Sequence, residues 1–419
     1  MLISARLAVA QEVTIGYQGL PYKHTGESAT GINVAEGMLL HVGAGVEAGY
    51  DSNVFYGNSD TGVTGSGIIR ATGYAEFTNT TRATGAPGGL TFDLRGGMTY
   101  RRYTSDDPAV VPFHDAFMPS AGLSLGYGTG RLSFQLTDSF VRVEDPPYAN
   151  STNYPLSRDS NLATAEVHWS PGGGRISTMF RYTNVIDVFE ATAFEYGSTV
   201  THQLLADVSW KWLPKTAIFI DAYQGYVTYL NAGAADKAGK VDSYPLHVLA
   251  GLRGLITPKL SVNLSVGYAN SFSSSGATTG GIFGSTFIEA QATYNPTLMS
   301  RLVGGYHHDF ANSVISAFYY EDAIYASYVQ QLGGRLAFDL SGRYAHRNYQ
   351  ALLFPGAGEP ATRVDNLFTL GATLDYFVRN WIYAGVGYSL LSNVSDYQVA
   401  GHSVEYTKHQ VFARVGVSY

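Results

Sequence analysis

The stretch Thr257-Pro258-Lys259-Leu260-Ser261-Val262-Asn263-Leu264-Ser265-Val266-Gly267-Tyr268 decides the fold. After the short turn, Leu260, Val262, Leu264, Val266 and Tyr268 point one way, while Ser261, Asn263, Ser265 and Gly267 point the other. A period of two belongs to a strand and not to a helix. The same reading applies elsewhere. Leu336, Phe338, Leu340 and Tyr344 oppose Ala337, Asp339, Ser341 and Arg343, and Leu90, Phe92, Leu94, Met98 and Tyr100 oppose Thr91, Asp93, Arg95 and Thr99. A soluble sandwich would put Lys and Glu on the polar face. Here that face is Ser, Thr, Gly, Gln and Arg, which suits an apolar exterior around a wet interior.

Composition points the same way. Of 419 residues only 14 % are charged, against about 25 % in soluble domains. A membrane helix needs roughly 20 consecutive apolar residues. The longest run of apolar residues and glycine, Trp381 to Tyr388, has eight. What remains is a closed transmembrane antiparallel barrel. The net charge of −7 includes no basic run, so nucleic acid is not an expected partner. Arginine outnumbers lysine by 19 to 7, the choice where a fixed fork pairs within a wall of side chains. The chain has no Cys, which suits passage through an oxidising periplasm.

The connections alternate in length. Short turns fall at 128–130, 170–174, 213–215, 257–259, 295–297, 333–334 and 379–380, with a slightly longer one at 82–89. Longer polar connections lie near 56–65, 104–114, 145–160, 190–196, 231–243, 272–282, 311–315, 352–362 and 395–402. Eight short and nine long connections give 18 strands over residues 39–419, with short periplasmic turns and longer extracellular loops. An even count puts both ends of the barrel in the periplasm. Trp169, Trp210, Trp212 and Trp381 each lie within three residues of a short turn, as a periplasmic aromatic belt requires. Before the barrel, residues 1–10 read as the remnant of a signal peptide and 11–38 as a periplasmic arm.

Strand alternation assigns an inward face. Its charged members are Glu47, Asp51, Arg70, Glu76, Asp93, Arg95, Arg101, Arg181, Asp207, Lys211, Arg253, Glu289, Arg301, Asp339, Arg343, Arg347, Asp375 and Arg414. Both signs interleave around the wall. This is either a transverse field that orders water and steers a polar solute, or a set of cross-strand ion pairs that stiffen the wall. The third outer loop, Glu144 to Ser160, is expected to be the longest; it either enters the lumen and constricts it through Asp145, Tyr148, Tyr154, Arg158 and Asp159, or lies on the surface. Tyr74, near the upper part of its strand, joins Tyr148 and Tyr154 as a candidate for stacking on sugar.

No nucleophile elbow, HExxH, P-loop or CxxC occurs, so no catalytic site, enzyme activity or cofactor is expected. His307 and Asp309 share a face but offer two weak ligands and no third, so no metal site is expected.

Two stretches and the C-terminus carry resemblances. The end V-F-A-R-V-G-V-S-Y, with Val411, Ala413, Val415, Val417 and Tyr419 on one face, resembles the signal read by the bacterial barrel-assembly machinery. Residues 31–56, which contain G-Y-D-S-N-V-F (Gly49 to Phe55), resemble the first strand of the β-barrel porin 2 group of bacterial outer-membrane proteins. The stretch Ile256 to Tyr268 resembles a recurrent turn and strand of that group. The chain is also similar in size and strand count to porin-like barrels of myxobacterial exopolysaccharide export. The resemblance implies a passive conduit for secretion of an extracellular or capsular polysaccharide, working with periplasmic polysaccharide-export proteins. A general or sugar-selective diffusion porin, passing a small polar solute, and a structural or adhesive barrel remain open beside it. In each case the surroundings would be outer-membrane lipid.

Overall fold

The computed structural model describes residues 31–79, 89–146, 156–192, 194–231, 240, 242–272, 284–313, 315–352, 362–399 and 402–419. The expected signal remnant 1–10 and most of the arm 11–38 lie outside them, as do Tyr148 and Tyr154.

Eighteen long antiparallel strands form one closed sheet. They are β2 (Met38–Asp51), β3 (Ser66–Asn79), β4 (Gly89–Tyr103), β5 (Asp115–Gly128), β6 (Leu132–Asp145), β7 (Leu156–Trp169), β8 (Ile176–Phe189), β9 (Thr199–Leu213) and β10 (Thr216–Tyr229). Then come β11 (Leu246–Thr257), β12 (Leu260–Asn270), β13 (Gly284–Thr297), β14 (Ser300–Asn312), β15 (Ser316–Leu332), β16 (Leu336–Leu352), β17 (Arg363–Arg379), β18 (Ile382–Ser395) and β21 (Tyr406–Ser418). Each pairs with its neighbour in sequence, and β2 pairs with β21 from Gly43↔Ser418 to Asp51↔Gln410 to close the ring. Closure leaves the eighteen-strand wall without an exposed edge, the condition for crossing a bilayer with strands. Between β18 and β21 a small hairpin, β19 (Gln398–Val399) and β20 (His402–Ser403), stands apart from the sheet.

The pleat sorts the side chains. Along β21 burial alternates without interruption from Tyr406 to Val417. Val411, Val415 and Val417 are exposed, while Lys408, Gln410, Phe412 and Arg414 are buried. On β12, Leu264, Val266 and Tyr268 are exposed and Ser265 and Ala269 buried. All four tryptophans are exposed at the short-turn end. An apolar exterior on a closed sheet with a charged interior makes this an outer-membrane barrel. The β15–β16 turn shows why these connections can be so short. Gly333 and Gly334 adopt φ of 57° and 70°, a left-handed pair that glycine enters without steric cost.

Four expectations need correction. Part of the segment assigned to the arm is strand: β1 (Ile32–Ala35) folds back on Met38 to Leu40, and the barrel starts at Met38. The third outer loop is shorter than expected and not the longest. Glu144 and Asp145 belong to β6, and Leu156 to Ser160, with Arg158 and Asp159, belong to β7. Ladder pairing runs two rungs beyond Val143↔Arg158, to Asp145↔Leu156, because Pro146 is the first residue that cannot donate to the ladder. The connection expected at 311–315 is reduced to the residues between Asn312 and Ser316. Tyr74 lies in the lower half of β3, towards the periplasmic turns, where its hydroxyl is 2.6 Å from Ser418 Oγ.

Candidate channel interior

Many of the inward charges are paired, some on neighbouring strands in register, some along one strand and some across an intervening strand. Glu47 faces Arg70 on β3 and Arg414 on β21 across directly opposed positions. Arg70 comes within 3.6 Å of Glu47, and Arg414 within 3.9 Å. Arg414 also donates to both oxygens of Asp375, at 2.8 and 2.5 Å. That fork fits because residue 385 is glycine: a Cβ there would stand 2.1 Å from Asp375 Oδ1. Arg95 reaches Asp93 at 2.9 Å and Glu76 at 3.3 Å. Arg181 donates to Glu166 at 2.6 Å, and Arg253 to Asp207 at 2.8 Å. Glu321 accepts from Arg343 and, at 2.8 Å, from Arg347.

Several of these cations also lie on aromatic faces. The guanidinium of Arg70 is 4.4 Å from the ring centre of Phe412, Arg253 is 4.6 Å from Phe219 and Arg347 is 4.9 Å from Tyr319. Each stack is worth about 0.5–2 kcal/mol. Arginine is suited to this double duty, since its plane stacks while its edge bonds a carboxylate.

Fourteen lumen candidates were named from sequence: Glu47, Arg70, Glu76, Asp93, Arg95, Arg181, Asp207, Arg253, Glu289, Arg301, Asp339, Arg343, Asp375 and Arg414. All sit on the face of their strands opposite the exposed apolar residues. Glu47, Arg70, Glu76, Asp93, Asp207, Asp375 and Arg414 are buried, whereas Arg95 and Arg301 remain open. Of the constriction candidates, Asp145 lies 3.9 Å from Arg101 and Arg158 lies 3.7 Å from Asp187, both on the inner wall. Asp159, one position on from Arg158, takes the outer face. Glu321 accepts from His307 Nε2 at 2.7 Å while Asp309 meets His247 at 2.9 Å, so the two weak ligands have different partners.

The sequence marks the first two outer loops as long connections but not their inward course. Residues 52–65, between β2 and β3, turn into the barrel mouth. Val54, fully buried, packs with Val110 of the second loop (104–114) against the inward side chains Ile68, Tyr103 and Phe412. Tyr56 packs on Leu391 and Tyr406, with its ring 5.1 Å from that of Tyr406. Phe55 meets Phe113 edge-on at 5.9 Å. Asn53 fastens the loop: its Nδ2 donates to the carbonyls of Gly57, at 2.7 Å, and Thr407, at 3.0 Å. Its Oδ1 accepts from the Gly57 N–H at 2.8 Å. The signal was present in S-N-V-F-Y, an apolar run inside a polar connection, but periodicity does not say whether such a run faces lumen or lipid.

The passage is therefore lopsided. Beside β2, β3 and β21 it is filled by loop and buried charge. Along β5 and β6 the inward residues are Gly122, Ser124 and Gly126 facing Ser139, Thr137 and Gln135, small and polar, and Ser133, Gln135 and Ser139 are exposed.

No family model and no curated protein matches this chain. Among solved structures it is similar to OccAB4 of Acinetobacter baumannii, with a TM-score of 0.46, 11 % identity, and coverage of 91 % of this chain and 98 % of that one. It is similar to OccK5 of Pseudomonas aeruginosa with a TM-score of 0.43 and 10 % identity, covering 91 % and 98 %. For the ferric yersiniabactin uptake receptor FyuA of Yersinia pestis the values are 0.45 and 11 %, covering 91 % and 80 %. Similarity of this order says nothing about cargo.

Proposed function

We propose that this barrel is a porin-like passive channel for polar solutes. The observation that supports it is the wall of β5 and β6, where small and polar side chains face an open interior beside the filled sector. Eighteen strands enclose more space than their own side chains fill. The paired charges of the opposite wall keep it wetted without a ring of one sign, so neutral polar solutes pass as well as ions of either sign.

Export of an extracellular or capsular polysaccharide is the narrower reading within this one. Its support is the sequence resemblance of residues 31–56 and Ile256 to Tyr268 to the β-barrel porin 2 group, and its partners would be periplasmic export proteins. Liposome swelling with a graded set of sugars tests the channel itself: swelling should fall off with sugar size, and absence of swelling with the smallest sugar would contradict it. Deleting the protein from cells separates the two cargoes. Loss of a surface polysaccharide with normal sugar uptake supports export, and slowed uptake with intact polysaccharide supports diffusion.

A further inference from the structure

The outer face is not uniform in height. On β4 and β5 the first charged or amide side chain pointing outwards, counted from the periplasmic end, is Arg102 and Asp115, each thirteen residues along the strand. On β6 it is Asp138, six residues after Leu132. On β7 and β8 it is Asn161 and Asn184, eight residues from Trp169 and Ile176. At about 3.3 Å per residue and a tilt near 45°, six to eight residues climb about 14–19 Å, short of the roughly 25 Å apolar band of such barrels. Asp138 thus faces outwards within the depth of the hydrocarbon. Its carboxylate could accept about four hydrogen bonds, and the structure shows it the Asn161 amide, at 3.2 and 3.3 Å.

Just below this polar pair the same wall is concave. A groove of about 720 Å³, almost wholly apolar, crosses it over Ala165 and Ala206. Beside this low floor stand Phe180 and Leu204, among the most exposed apolar side chains of the exterior at 60 % and 65 %.

We propose that the outer wall of β6 to β9 is a self-association surface, on which a second copy of the chain packs with the same wall. A short apolar span is accommodated by thinning the bilayer or by association, and lipid tails cannot serve the open acceptors of Asp138. A ridge next to a floor of small residues is self-complementary about a twofold axis, because each copy's Phe180 and Leu204 enter the other's groove.

The chain has no Cys, so single cysteines report cleanly. Leu204→Cys and, on the far wall, Val386→Cys are placed in the full-length protein and treated in membranes with a short bismaleimide. A covalent dimer is expected from Leu204→Cys and not from Val386→Cys, although a monofunctional maleimide labels both in detergent. Ala165→Trp, added to Leu204→Cys, should lower the dimer yield at least five-fold while the unboiled barrel keeps its resistance to SDS. If that variant does not fold, the comparison of Leu204→Cys with Val386→Cys decides alone. Equal yields at the two positions, no dimer at Leu204→Cys, or native mass spectra showing one copy carrying lipid would overturn the proposal.

Discussion

Lys408 of the last barrel strand lies 2.9 Å from Asp51 of the first, and both side chains are almost wholly buried. The pair sits at the outer end of the closing seam. Asp51 also accepts from Gln410 Nε2 at 2.7 Å and from the backbone N–H of Asn53 at 3.0 Å, and Lys408 Nζ lies 4.1 Å from the ring centre of Tyr56. One ion pair therefore ties together barrel closure and the inward course of the first loop.

Removing one partner leaves a buried charge uncompensated, which costs about 3–5 kcal/mol, whereas removing both costs less. Lys408→Met should destabilise the folded barrel by that amount in urea titrations in lipid. Lys408→Met combined with Asp51→Asn should recover at least part of the loss. A double variant less stable than Lys408→Met would mean that the pair does not act as a unit.

Orientation follows from the alternating connections. In whole cells a membrane-impermeant maleimide should label a cysteine at Ser59, exposed in the first long loop, and miss one at Thr129 in a short turn. The reverse pattern would invert the barrel.

Tyr419 is tied into the closing seam. Tyr419 exchanges two backbone hydrogen bonds with Val42, at 2.8 and 2.9 Å, and its side chain joins Val415 and Val417 on the outside. Deleting Tyr419 should lower outer-membrane levels several-fold, while Ser418→Ala leaves them nearly unchanged. Equal levels would argue against both a seam role and an assembly signal at this end.

Strand number and the two faces of each strand were legible because a period of two is local: Leu264 and Ser265 reveal their faces without knowledge of any partner. The positions of the short turns were legible for the same reason, since proline and glycine mark them in sequence, whereas the lengths of the third outer loop and of the connection at 311–315 were not. Pairing partners were not. That Arg414 bonds Asp375 while Arg70 lies on Phe412 depends on register between strands far apart in the chain. Loop placement failed for another reason. The apolar run Val54-Phe55-Tyr56 is silent about direction until Ile68, Tyr103 and Phe412 are seen to form its site, so the inward course of the first loop could not be read from sequence.

The most direct test is single-channel conductance in a planar bilayer. The native protein is compared with a variant in which Val54 and Tyr56 are both replaced by Ser, which empties the two apolar sites that hold the first loop in the mouth. A water-filled barrel narrowed by that loop conducts in discrete steps, and the variant conducts at least twice as much with greater noise. Absence of stepwise conductance from the native protein, or identical conductance of the two, would contradict it.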